Sequence, residues 1–208
     1  MPQSCVDLVL ERAALTGGQR VLVITPGKQG AQILAAILPR LAAQSVVVLE
    51  ADPRRLKTVA APAKPVLGRA TRLPFFKHSF DVILSFETLF AVRPPWTTIA
   101  EFHRVLVPDG KLVLVEPQWI GFFSSLRDRI SGPGKRVFPI DEIKYRLARA
   151  DWELSDVRES VNTTEFPRTI YAVTALKKEN AVEPVPQYTT AKELIERRKN
   201  FPKGDQLP

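Results

Sequence analysis

The sequence predicts a doubly wound α/β domain, a mostly parallel sheet with helices on both faces. Three observations carry this. Val21–Ile24, Val46–Leu49, Val82–Leu84 and Leu112–Val115 are short aliphatic runs with no polar face, as expected of strands covered from both sides. Segments with helical spacing alternate with them. Turn signals such as Thr25-Pro26-Gly27 and Pro108-Asp109-Gly110 mark the joints.

Taken in order, Ser4 and Asp7 are capping residues for a first helix, with Val6, Leu10, Ala13 and Ala14 on one face and Gly17-Gly18 as its stop. After the strand at Val21–Ile24, the segment 31–43 is rich in Ala, Leu and Ile and predicts a helix that Pro39 ends or kinks. Val46–Leu49 is the next strand, and Asp52-Pro53 opens a short helix, with proline at a permitted first-turn position. Thr98 and Glu101 have capping-box spacing and predict a helix through Leu106 that buries Ile99, Phe102 and Leu106. Helices are predicted over Gly121–Arg129 and Ile140–Ala150, and closing strands over Trp152–Val157 and Ile170–Ala175.

The chain has 208 residues, of which 45% are hydrophobic and 25% charged, enough for one domain with a sizeable core. It divides into a domain over residues 1–176 and a polar, proline-rich tail over 177–208, in which Thr190 and Glu193 can cap a short helix. The tail is a candidate segment for a protein partner or for self-association. The start of the chain is interrupted by Asp7, Glu11 and Arg12, which does not suit a signal peptide, and the expectation is a cytoplasmic protein. The single cysteine, Cys5, and the two separated histidines, His78 and His103, argue against a metal site. The net charge of +8 is spread in ones and twos, as in Arg54-Arg55, Arg69 with Arg72, and Lys135-Arg136. That pattern suits solubility better than a nucleic-acid interface. Trp119, Phe122 and Phe123 beside Arg127 and Arg129 suit peripheral membrane contact or a lipid-like substrate, or a partly buried helix.

An open parallel sheet binds ligands beyond the carboxyl ends of its strands, near the point where strand order reverses. That rule selects the loops 25–30, 50–53 and 85–89. Two longer segments add a resemblance. Residues 68–85, GRATRLPFFKHSFDVILS, carry Gly68, Ala70, Leu73-Pro74-Phe75 and Ser79-Phe80-Asp81-Val82-Ile83, and residues 101–117 read EFHRVLVPDGKLVLVEP. They resemble the stretch from the adenine-binding loop into the fourth strand, and the next helix, turn and strand, of class I S-adenosylmethionine-dependent methyltransferases of the type 11 group. The resemblance covers roughly residues 15–176. It implies a Rossmann-like, seven-stranded, mostly parallel sheet and S-adenosylmethionine as cofactor.

The first loop departs from the family's form, in which an acid-ended strand runs into Gly-x-Gly-x-Gly. Val23 stands at the acid's place, Thr25 replaces the first glycine, Gly27 keeps the second, Gln29 replaces the third, and Gly30 follows one place late. Glu50 closes the second strand where the family has the acid that accepts both ribose hydroxyls, a task that suits a pure acceptor with two oxygens. The resemblance thus places Thr25, Gly27, Glu50, Ala51, Arg69, Ala70 and Ser85 around the cofactor, with Arg69 where the family commonly has aspartate. Glu87 is the candidate to take a proton from an acceptor. His103 is expected to pack rather than react, and Trp96 fits either the pocket or the core. Two functions follow from these residues. One is methyl transfer to a small or lipid-like acceptor. The other is a catalytically inactive relative, kept as a binding module or subunit.

Overall fold

A computed structural model describes residues 4–25, 30–42, 44–59, 61–118, 137–161 and 169–178. The expected Gly121–Arg129 helix, the aromatic and cationic cluster around Trp119, and most of the tail lie outside these residues. The elements are α1 (Cys5–Ala13), β1 (Arg20–Ile24), α2 (Gly30–Ile37) with a 3-10 turn at Leu38–Leu41, β2 (Ser45–Glu50), α3 (Pro53–Leu56), β3 (Lys64–Leu67), β4 (Phe80–Phe86), α4 (Thr88–Ala91), α5 (Pro95–Val105), β5 (Leu106–Pro117), α6 (Ile140–Arg149), β6 (Trp152–Val161) and β7 (Ile170–Lys177).

The seven strands form one sheet in the order β3-β2-β1-β4-β5-β7-β6. All pairs are parallel except those made by β7, which runs antiparallel to β5 and β6. Each central strand divides its side chains between two cores, as the two-residue period requires. Val21, Val23, Val82 and Leu84 pack with α1 and α2 on one face. Leu22, Ile24, Ile83 and Leu114 pack with α5 and α6 on the other. Order reverses between β1 and β4, the switch point at which this class of sheet opens a ligand crevice.

Two expectations need correction. β3 was not among the strands expected from apolar runs. It is a sheet edge with Lys64, Pro65 and Leu67 exposed, and an edge strand has no two-sided apolar signature. Next, α5 begins at Pro95, with Pro94 as its cap. Proline at the first turn starts the helix one turn earlier than a Thr98 cap would, and Glu101 is left for another task. The helix after β1 stops at Ile37, and Pro39 sits in the 3-10 turn that follows, as expected of a helix that Pro39 ends.

Gly30 explains the late glycine of the first loop. A Cβ there would lie 2.3 Å from the Thr25 carbonyl oxygen and 2.9 Å from its hydroxyl oxygen. The chain leaves β1 and returns to α2 in direct contact with itself, so a side chain at position 30 has no room. Gly30→Ala should destabilise the fold by about 1–3 kcal/mol, the range for overpacking, read as a lower midpoint in a urea melt.

Candidate cofactor and acceptor site

At the carboxyl ends of β1 and β2 a cavity of about 240 Å³ opens, lined by Ile24, Leu49, Glu50, Ala51, Gly68, Arg69, Ala70, Thr71, Thr88, Val92 and Arg93. Four of the expected site residues, Glu50, Ala51, Arg69 and Ala70, are therefore neighbours in space. Thr25 is buried against Gly30 and is not part of the lining. Ser85 is fully buried and donates a 2.8 Å hydrogen bond to the Thr88 hydroxyl; the lining residue at this wall is Thr88, three positions on. Gly27 lies outside the described residues.

Glu50 ends β2 beneath the surface, 6% exposed. Its Oε1 accepts from the backbone N–H of Ala51 (2.7 Å) and Asp52 (2.9 Å). Arg55, one turn into α3, donates from Nη2 to Oε1 (2.8 Å) and from Nε to Oε2 (3.0 Å). The fork-to-fork geometry suits a guanidinium and a carboxylate. The hydrogen bond to Glu50 raises the Arg55 pKa further above its ordinary value. Glu50, the residue expected to accept from a ribose, is thus held through both oxygens by an arginine of this chain.

The opposite wall is Gly68–Thr71, and the two sequence segments that carry the resemblance meet in the loop that follows it. Glu101 on α5 accepts from Leu73 N–H at 2.7 Å, and its two oxygens accept from Arg104 Nε and Nη2 at 2.8 Å each. Arg104 also donates to the carbonyls of Phe75 (2.7 Å) and Leu73 (3.1 Å). The Glu-x-x-Arg of one motif therefore pins the Leu-Pro-Phe of the other. Gly68 begins this wall. A Cβ there would meet the Leu49 side chain at 2.9 Å and the Pro74 ring at 3.1 Å. Asp81 then joins β4 to β1 through a paired contact with Arg20 (2.7 and 3.1 Å), and that hydrogen bonding holds the Asp81 carboxyl below its usual range.

The third wall depends on a residue the sequence did not single out. Glu116, 2% exposed in β5, accepts from the N–H groups of Leu89 (2.8 Å) and Phe90 (3.0 Å). It thereby fixes α4, which presents Thr88 and leads into Val92 and Arg93. Its only sequence signal was an acid at the end of an apolar strand. Burial raises its pKa to about 8, with the Glu87 carboxylate adding to the rise. The same burial raises the Tyr171 pKa. Glu87, the expected proton acceptor, takes left-handed backbone angles, is 4% exposed and is not part of the cavity lining. Its charge is close enough to Glu116 to add to the rise of that group's pKa. His103 packs as expected, buried and edge-on to Trp152 at 5.4 Å. Trp96 belongs to neither the cavity lining nor the fully buried core. It packs on Phe138 at 5.0 Å and carries Arg146 over its ring at 4.6 Å.

The raised Glu116 pKa gives a signed pH effect. A folded pKa above the unfolded one means the folded state holds the proton more tightly. The associated stability is complete below the unfolded value near 4.5 and is lost as pH rises through about 8. The wild-type melting temperature should fall by roughly 5–10 °C between pH 5.5 and 8.5, while Glu116→Gln flattens that slope.

Residues 28–114 match the methyltransferase domain family. That match covers a little over two fifths of the chain. Among curated proteins it is 36% identical over 122 residues to an uncharacterized methyltransferase of Mycobacterium sp. (strain KMS), covering 56% of this chain and 46% of the relative. It is 34% identical over 113 residues to the demethylmenaquinone methyltransferase of Renibacterium salmoninarum, covering 52% and 46%. It is 27% identical over 186 residues to malonyl-[acyl-carrier protein] O-methyltransferase 1 of Coxiella burnetii, covering 87% and 65%. The chain spans a little under half the length of the first of these methyltransferases. Among solved structures, a SAM-dependent methyltransferase from Aquifex aeolicus has a TM-score of 0.63 at 18% identity, covering 83% of this chain and 89% of the other. The [4+2]-cyclase SpnF has a TM-score of 0.65 at 20% identity, covering 83% and 79%. Identities this low show the methyltransferase fold alone, and the cyclase has the same fold.

Proposed function

We propose that this chain is a class I methyltransferase that binds S-adenosylmethionine in the cavity at Glu50 and transfers its methyl group to a small or lipid-like acceptor. The observation that carries this is the convergence of Glu50, Ala51, Gly68 and Ala70 on one hollow at the strand switch point. Glu50 would accept from the ribose hydroxyls, and Gly68 and Ala70 would lie along the adenine. The cofactor supplies an electrophilic methyl on a sulfonium. The chain's part is then to bind, orient and keep water out, because much of such a displacement is achieved by positioning. Apolar Ile24, Leu49 and Val92 line the hollow and favour a nucleobase or an aliphatic acceptor over water. The relative that acts on demethylmenaquinone supports a lipid-like acceptor. The relative named for malonyl-[acyl-carrier protein] supports an acyl one.

A second function has its own observation. Arg55 already grips Glu50 through both oxygens, and Val23, Thr25, Gln29 and Arg69 replace family residues. A non-catalytic relative retained as a binding module would look like this. Isothermal titration with S-adenosylmethionine separates the two: a single-site isotherm supports the enzyme, and no heat from protein confirmed to be folded supports the module.

A further inference from the structure

The net charge of the chain is concentrated in one stretch. Residues 53–80 hold seven of the chain's 30 Lys and Arg and none of its 22 Asp and Glu. Nearly all of the net +8 therefore lies between Asp52 and Asp81. The fold sets this stretch along one edge of the sheet. β3 is the outermost strand, beyond β2. Val59, just past α3, packs with the face that holds α1 and α2, while Val66 and Phe75 pack with the face that holds α5 and α6. α3 and the loop after β3 thus flank the β3 edge from its two sides. Arg54, Lys57, Lys64, Arg69 and Arg72 are exposed on these three pieces. The acids nearest in sequence are already engaged. Glu50 is clasped by Arg55, Asp52 caps α3, and Asp81 pairs with Arg20.

Two exposed apolar side chains stand among these cations. Leu67 ends β3, and Phe76, in the loop, is 89% exposed. They are two of the three large exposed hydrophobic residues among those described. The loop that carries Phe76 is fixed. Arg104 donates to the carbonyls of Leu73 and Phe75, and the Pro74 ring lies 3.1 Å from where a Cβ of Gly68 would be. Phe75 packs edge-on to Phe80 at 4.8 Å, and its neighbour Phe76 is left facing water. One exposed apolar residue is ordinary. A whole phenylalanine ring presented on a held loop, inside a basic face without acids, suits a partner that is anionic outside and apolar beneath.

The edge itself narrows the choice. Pro65 removes a donor from β3, and Lys64 adds a charge, which are the features that discourage strand addition. A protein interface is built around a contiguous apolar centre, and here the apolar side chains are separate. A bilayer surface needs no such centre, because single side chains enter the interface while cations meet the head groups.

We propose that the β3 edge docks on an anionic membrane surface, with Phe76 and Leu67 entering the head-group layer and the cations of α3, β3 and the loop facing lipid phosphates. No helix among the described residues is long and apolar enough to cross a membrane, and the contact proposed is peripheral. Gly68–Thr71, which line the hollow, belong to the same loop, so docking sets the hollow beside the lipid. The inference goes beyond methyl transfer and does not rest on it, and its test uses no cofactor.

That test is co-sedimentation of the full chain with vesicles of phosphatidylcholine alone, or of phosphatidylcholine mixed equally with phosphatidylglycerol. Binding to the anionic vesicles should be about tenfold or more tighter and should fall steeply between about 0.05 and 0.5 M salt. The combined Lys57→Gln, Lys64→Gln and Arg72→Gln variant should bind them about tenfold or more weakly, and Phe76→Ser about three- to tenfold more weakly. Tyr145→Ser should leave binding unchanged, because this exposed aromatic lies on α6, which packs on β6 at the opposite edge. Phe76→Trp should shift its fluorescence to the blue on anionic vesicles more than the wild type does. Circular dichroism melts check that the variants fold, and the wild-type lipid and salt comparisons need no variant. Equal binding to the two vesicles, binding indifferent to both the lysine–arginine and the Phe76 changes, or tighter binding to polyglutamate or a DNA duplex than to anionic vesicles at the same salt overturns the proposal.

Discussion

Substituting Glu50 by glutamine should weaken S-adenosylhomocysteine binding about 30- to 100-fold, and substituting Arg55 by methionine should strengthen it about fivefold. The opposite signs follow from one contact. A ribose can use the Glu50 carboxylate only by sharing or displacing the Arg55 fork, which now takes both oxygens. Two hydrogen bonds from hydroxyls to an ionised acceptor contribute about 1.5–3 kcal/mol each at most, and the amide of glutamine cannot accept on both atoms. Arg55 is 37% exposed along its side chain. Releasing it to water therefore costs only about 1 kcal/mol, the scale of a surface pair. Glu50→Gln also strips Arg55 of half its partner, so a small fall in melting temperature should accompany the loss of binding. Arg55→Met should bind more tightly without gaining stability. Calorimetric titration of the two variants beside the wild type, with melts run in parallel, reads both signs.

Glu101→Gln should be the most destabilising exchange of a charged residue in the loop network, lowering stability by about 3 kcal/mol and the melting temperature by roughly 6–12 °C. The carboxylate is 3% exposed and satisfies Leu73 N–H and two donors of Arg104 at once. Losing the charge leaves a largely buried guanidinium with half a partner, the costly way to break such a pair. The damage should spread to binding, because Arg104 holds the carbonyls of Leu73 and Phe75 in the loop that follows the cavity-lining Gly68–Thr71. Arg104→Lys should fall nearly as far, since a single ammonium cannot reproduce a fork directed at two carbonyls and a carboxylate. Urea melts of the two variants check the stability claim. A loss of S-adenosylhomocysteine affinity larger than the stability loss explains would place the loop in the site.

The central strands were legible because burial from both sides leaves no polar face: Val21–Ile24 and Val46–Leu49 each became a strand within one residue, while Leu112–Val115 lies in a longer β5 that begins at Leu106 and takes in the expected turn at Pro108-Asp109-Gly110. β3 was hidden for the converse reason: an edge strand with exposed Lys64 and Leu67 carries no such pattern. The capping-box spacing at Thr98 misled because Glu101 has the right interval but a tertiary partner, Leu73, 28 residues away in sequence. The site was readable where it depends on strand ends, as with Glu50 and Ala51. It was unreadable where it depends on what packs beneath. Nothing local to Glu116 says that it will grip the start of α4, and nothing local to Arg55 says that it will fold back on Glu50. Glu87 looked like a base because it follows a strand at the ligand end. The structure buries it, and Thr88 lines the wall.

The central claim is that the Glu50 carboxylate exchanges its arginine for a sugar. A crystal structure of the chain grown with S-adenosylhomocysteine tests it most directly. The expected map shows the ribose hydroxyls about 2.6–3.0 Å from the Glu50 oxygens, with the Arg55 side chain swung toward solvent and the adenine beside Gly68 and Ala70. A map in which Arg55 still clasps Glu50 and the ligand is absent, or sits elsewhere, would contradict it.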